Sequence, residues 1–230
     1  MPRSKKTPTK SIEGGLPRHA RRLRQMKLEV AAEAARIIAT EGQHNYHAAK
    51  KKAADRIGAT ERLALPSNIE VEDALRLYQG LYGGVAHTEN LARLRGIAVE
   101  AMYYLEKYEP RLAGTVLDGT ANEHSRITLH VFAESTESVI LHFLERGVPF
   151  RQEERQIRWY DGSHRTVPLL VFEVDDAAVE LMIFDPVHIR QAPPSPIDGK
   201  PQRRATLADT ECLLAESFSP DLLAGPASPA

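Results

Sequence analysis

The sequence predicts an α+β protein in which an N-terminal helical region precedes a mixed sheet with flanking helices. Three observations carry this. Between Arg21 and Glu109 apolar residues recur every three or four positions, the period of a helix buried on one side. From Arg111 onward the period shortens to two, the strand period. Within that second part, Asp161-Gly162-Ser163 separates two alternating runs, where a hairpin turn belongs.

The helices come first. Leu28, Ala31, Ala34, Ile37 and Ile38 mark one that begins near Arg21, and Gly42 is placed to stop it. A second spans Tyr46 to Ile57, followed by Gly58, with Lys50, Lys51 and Lys52 on its polar side. Ser67, followed three residues later by Glu70, forms a capping box. The helix it opens has Val71, Ala74, Leu75, Tyr78, Leu81 and Tyr82 on one apolar stripe and ends at Gly83-Gly84. Thr88 is predicted to cap the next helix. Leu91, Leu94, Ile97, Ala98, Ala101, Tyr104, Leu105 and Tyr108 form its apolar face, and Pro110 stops it.

The strands follow. Leu112 to Phe132 reads as strand, turn, strand, with Gly114-Thr115 closing the first. Ser135 caps a helix whose face is Val139, Ile140, Phe143 and Leu144 and which ends at Gly147. Strands are predicted over Gln152–Tyr160, Thr166–Val174 and Ala178–Phe184, paired antiparallel because their turns are tight. Residues 186–206 hold five prolines and read as a long loop, and a short helix covers Leu207 to Glu216. The expected division is a basic arm without fixed structure (1–27), a helical region (28–109), a sheet domain (110–216) and a structureless tail (217–230).

Composition narrows the function classes. Of the 230 residues 42% are hydrophobic and 27% charged, ordinary for a globular protein. The apolar runs are too short to cross a bilayer, and no apolar core follows the basic N-terminus as in a secretory signal. The single cysteine, Cys212, excludes an internal disulfide, so a cytoplasmic protein with no membrane partner is expected. Its place on a predicted apolar helix face suggests an inert thiol. Residues 1–27 hold nine Lys/Arg and one acid, Glu13, although the whole chain has a net charge of −1. A basic arm on an acidic body is a possible nucleic-acid contact.

The chemistry concentrates between Gly114 and Val131. Eleven residues after Thr115 comes Arg126, and alternation puts Arg126, Thr128 and His130 on one face of the second strand. This layout resembles the signature of the polymerase-β-type nucleotidyltransferase superfamily, in which a Gly-Ser or Gly-Gly pair precedes an Asp-x-Asp strand. The resemblance runs from Arg111 over about 110 residues and implies a nucleotidyltransferase-like sheet domain. It matches Gly114 and Thr115 to the pair that approaches the phosphates. Arg126 and Thr128 stand where the two aspartates would be, and Glu180 matches the third carboxylate, the catalytic candidate.

In that family the carboxylates hold two Mg²⁺ ions against a nucleoside triphosphate. Here Mg²⁺ is expected only if the chain is active, and its ligands are not assigned. Three readings of this face follow. The domain binds a nucleotide or other phosphate ligand through Arg126 and the Gly114-Thr115 turn without transferring it. Alternatively, Asp118, Glu123 or Asp185 joins Glu180 as a metal ligand, or the fold is a bare scaffold. Thr128 and His130 border the same face, and Lys200, in the turn Asp198-Gly199-Lys200-Pro201, is a further candidate for an anionic ligand. Residues 28–58 also look faintly like the opening of TetR-type repressors, which implies a nucleic-acid-binding or regulatory protein as the alternative.

Overall fold

The computed structural model describes residues 18–43, 45–59 and 65–218. Four helices come first: α1 (Arg18–Glu41), α2 (Tyr46–Ile57), α3 (Asn68–Tyr82) and α4 (Gly84–Tyr104). Then follow β1 (Arg111–Ala113), the one-turn α5 (Thr115–Asp118), β2 (Ile127–Phe132), α6 (Thr136–Glu145), β3 (Arg151–Arg158), β4 (His164–Val174), β5 (Ala177–Phe184) and α7 (Leu207–Ser217). This is an α+β fold, as the change of period predicts.

The five strands form one mixed sheet in the order β1-β2-β5-β4-β3. β3, β4 and β5 are antiparallel neighbours, whereas β2 and β5 run parallel. A crossover through α6 makes that parallel pairing possible, because parallel neighbours need a long connection. Alternation then sorts the side chains. Ile127, Leu129, Val131, Val179, Leu181 and Ile183 enter the main apolar core, shared with Leu94, Ala98 and Ala101 of α4, with Leu105 just after it, and with Phe143 of α6. Phe132, Val167, Leu169, Met182 and Phe184 form a smaller cluster on the opposite face, with Ile189 packed against it.

The helical region has its own core. Val30, Ala34, Ile37 and Ile38 of α1 pack with Ala49 and Ala53 of α2 and Val71 and Leu75 of α3. Small residues let these helices approach closely. Gly58 ends α2 in the left-handed conformation, and Ser67 and Glu70 make both halves of the capping box. Polar groups join the helical core to the sheet body. Gln79 Nε2 donates to the Thr120 carbonyl at 2.9 Å, and Asn122 Nδ2 donates to the Ile38 carbonyl at 2.8 Å.

Several sequence expectations are corrected. α1 starts at Arg18, so residues 18–27 of the supposed arm are helical; residues 1–17 and 219–230 lie outside the described residues. α4 starts at Gly84, where φ is +51°, and Thr88 donates back to the Gly84 carbonyl instead of capping. Leu81 and Tyr82 are exposed, because α3 packs on α1 only through its first half. The turn after β1 contains α5, and the 186–206 loop is tied to the β1 edge by an Ala205–Leu112 bridge. Cys212 lies on the exposed side of α7, so the apolar-face reading of it fails.

Candidate functional site

The candidate site lies on the sheet face opposite α4 and α6. β2 and β5 pair in register, which sets Thr128 beside Glu180. β1 pairs with β2 on the other side, and its end delivers Gly114 to the same place. Gly114 adopts φ 73° and ψ −155°, a region open almost only to glycine. A Cβ built on Gly114 would come 3.4 Å from Thr128 Oγ1, so the turn lies close against the strand. Thr115 begins α5 directly after it.

Glu180 is the electrostatic centre of this face. Its side chain is only 2% exposed, so its charge needs partners. Arg155 of β3 reaches across β4 and holds both oxygens: Nη1 donates to Oε1 at 2.5 Å and Nη2 to Oε2 at 2.6 Å. This is the parallel fork in which a guanidinium matches a carboxylate. Arg126 approaches from the other side, with Nη1 3.5 Å from Glu180 Oε2 and 3.4 Å from Glu153 Oε2. Arg126 and Arg155 keep 41% and 44% of their side chains exposed, so each retains N–H groups facing solvent.

The structure therefore brings Gly114, Thr128, Arg126 and Glu180 together, with Thr115 next to them. It does not bring the other two candidates. His130 is fully buried two residues further along β2. Arg204 covers it, donating Nε–H to His130 Nδ1 at 3.0 Å while its guanidinium lies 5.2 Å from the Phe132 ring centre and 5.6 Å from that of Phe184. Burial holds the His130 imidazole down to about 3, helped by the charges of Arg204 and Arg155, so the ring is neutral. Lys200 is 80% exposed, with Asp198 of its own turn 3.9 Å away. Both are corrected as contacts of this face.

The donors present do not fit Mg²⁺. A hard divalent cation needs several free oxygen ligands. Here both oxygens of the buried Glu180 carboxylate are held by a guanidinium, and a second cation, Arg126, stands 3.5 Å from one of them. Asp118 does not help: it pairs with Arg203 at 3.2 Å, and burial pushes its carboxyl up. Among the described residues no group of three or more His, Cys, Asp or Glu side chains is arranged to hold a metal.

A scan against protein-family models finds no match for this chain, and a search of curated proteins finds none either. The site's reading thus rests on its geometry. Arg155 and Glu153 were missed from sequence. Alternation puts Arg151, Glu153, Arg155 and Ile157 on one face, and the tight turns put β3 two strands from β5, but no local signal says that this face is the one Glu180 occupies or that Arg155 reaches across β4. Among the described residues, no helix is long and apolar enough to cross a membrane.

Proposed function

We propose that this chain is a nucleotidyltransferase-like protein that binds a nucleotide, or another phosphate-bearing ligand, without metal and without transferring it. One observation carries the reading: Arg126 and Arg155 converge on Glu180 beside Gly114 and Thr128, where the family resemblance would put metal ions. Arg126 and Arg155 offset the charges of Glu180 and Glu153, and the N–H groups they keep toward solvent are of the kind that match phosphate oxygens. Glu180 acts as an internal counter-ion that occupies the Arg155 fork until a phosphate competes for it, and the Gly114 turn leaves room for a ligand close to the backbone. A cytoplasmic location, where nucleotides are abundant, accords with this reading. The test is calorimetric titration of ATP in EDTA into the wild type and Arg126→Ala: binding that needs no Mg²⁺ and weakens in the variant supports it, and no binding in EDTA overturns it.

A second reading is nucleic-acid contact through residues 1–27. It draws on the exposed basic start of α1, where Arg18, Arg21, Arg22 and Arg24 all face solvent ahead of the first buried residue, Val30. Such a charged projection binds phosphate backbones without reading sequence. Against the TetR likeness, α3 opens at Asn68, ten residues beyond Gly58, instead of after a tight turn, and it buries Val71 and Leu75 in the helical core.

A further inference from the structure

A second site lies where the helical region meets the sheet body, away from Glu180. A cleft of about 490 Å³ opens between the C-terminal half of α3 and the N-terminal half of α4, closed at one end by Gly119. Its volume falls in the range of small-molecule pockets. Arg76, Gln79 and Gly80 line it from α3, and His87 and Thr88 from α4. The seam lies between the two apolar cores, and Arg76, Gln79, His87 and Thr88 line it alongside Val85 and glycines.

Two features of its lining are not explained by contacts within the chain: one atom of Gln79, and Gly80. The first is Gln79, 8% exposed. Its Nε2 must donate to the Thr120 carbonyl, which fixes the amide orientation, and its Oε1 makes no hydrogen bond. A buried acceptor without a donor destabilises the fold unless something else supplies the donor. The second is Gly80, in the body of α3. Glycine there weakens a helix relative to alanine. A Cβ on Gly80 would meet nothing within 4 Å, and no positive φ requires glycine. Packing therefore does not explain the residue, whereas keeping the cleft open does.

We propose that this cleft binds a small anionic ligand that also carries a hydroxyl donor, with a sugar phosphate as the class that fits. Arg76 takes the anion: its closest approach to Glu72 is 3.6 Å, at Nε, longer than a hydrogen bond, which leaves the guanidinium able to receive a ligand. The ligand's hydroxyl donates to Gln79 Oε1. Gly80 provides the space, and His87, held by the Gly119 carbonyl at 3.2 Å, forms the far wall. This site is independent of the proposed nucleotide face, because it shares none of the residues that surround Glu180.

The test uses the full chain with ribose 5-phosphate and, as a carboxylate counterpart, gluconate, each followed by calorimetry and ligand-observed NMR. Gly80→Leu is the principal variant. It puts a bulky side chain on the cleft wall at a position where a Cβ meets nothing within 4 Å, and it improves helix propensity; circular dichroism checks that the variant is folded. The expected result is binding of at least one probe, lost in Gly80→Leu, about tenfold or more weaker in Arg76→Gln, and unchanged in Arg126→Ala. Failure of both probes to bind, or binding that survives Gly80→Leu, overturns the proposal. Loss in Arg126→Ala with retention in Gly80→Leu would assign the probe to the Glu180 face and also overturn it.

Discussion

Arg155 and Glu180, 25 residues apart in sequence and on strands that do not touch, form a two-point ion pair at 2.5 and 2.6 Å. The carboxylate is buried and the guanidinium is half-exposed, so the two partners are not equivalent. Losing Arg155 strands a charge in the sheet, whereas neutralising Glu180 frees a cation that water can still solvate.

Stability should report this asymmetry. Arg155→Ala is expected to destabilise the fold by about 2 kcal/mol. That is below the ~3–5 kcal/mol seen for breaking fully buried pairs, because Arg126 remains nearby. The double variant Arg155→Ala/Glu180→Gln should recover part of the loss, since no buried charge is left. Urea unfolding of the wild type, both single variants and the double variant measures the coupling. Additive losses would contradict the asymmetry.

Gly114 is expected to tolerate no side chain. Its φ of 73° with ψ of −155° is strained for any other residue, and a new Cβ would press toward Thr128 Oγ1 at 3.4 Å. Gly114→Ala should cost on the order of 1–3 kcal/mol and weaken ATP binding, because the turn must back away from Thr128. Thermal unfolding with calorimetry separates the two effects. A variant as stable as wild type would refute this use of glycine.

His130 gives a pH dependence whose sign follows from burial. Its imidazole titrates near 6.5 when free and at about 3 in the fold. Between those values the unfolded chain holds the extra proton, so stability is fully present above pH 6.5 and falls as the pH drops toward 3. The slope is at most about 1.4 kcal/mol per pH unit. From pH 7 to pH 5, His130 should account for roughly 2 kcal/mol of lost stability. His130→Gln keeps an acceptor for Arg204 and should remove that part of the slope in urea unfolding at the two pH values. An unchanged slope would mean that His130 is not the group responsible.

The basic start of α1 supports a separate prediction. Arg21→Glu/Arg22→Glu/Arg24→Glu should abolish binding of a labelled single-stranded oligonucleotide and flatten its salt dependence, while ATP binding stays unchanged. These side chains are exposed, so the fold should not suffer. Fluorescence anisotropy across a salt series checks it. Oligonucleotide binding that survives the reversal would exclude this surface.

What the sequence disclosed and what it hid have physical causes. The capping box at Ser67 and Glu70, the Ser135 cap and the Asp161-Gly162-Ser163 turn are local, because their hydrogen bonds join residues two or three apart. Alternation puts Arg126, Thr128 and His130 on one face, whereas Glu180 enters only through the family resemblance. The parallel register that sets Thr128 and Glu180 side by side depends on a crossover and had no local signal. His130 was read as a pocket residue because alternation gives a face but not what covers it; Arg204, 74 residues later, covers it. Leu81 and Tyr82 looked like core because an apolar stripe does not record where its partner helix ends.

The most direct test of the central claim is calorimetric titration of ATP into the wild type and Glu180→Gln, each with Mg²⁺ and with EDTA. Neutralising Glu180 removes the internal competitor for the Arg126 and Arg155 guanidiniums. The account predicts binding in EDTA that tightens in Glu180→Gln by about tenfold, equivalent to ~1.4 kcal/mol. Binding that appears only with Mg²⁺ and is lost in Glu180→Gln would contradict it and restore Glu180 as a metal ligand.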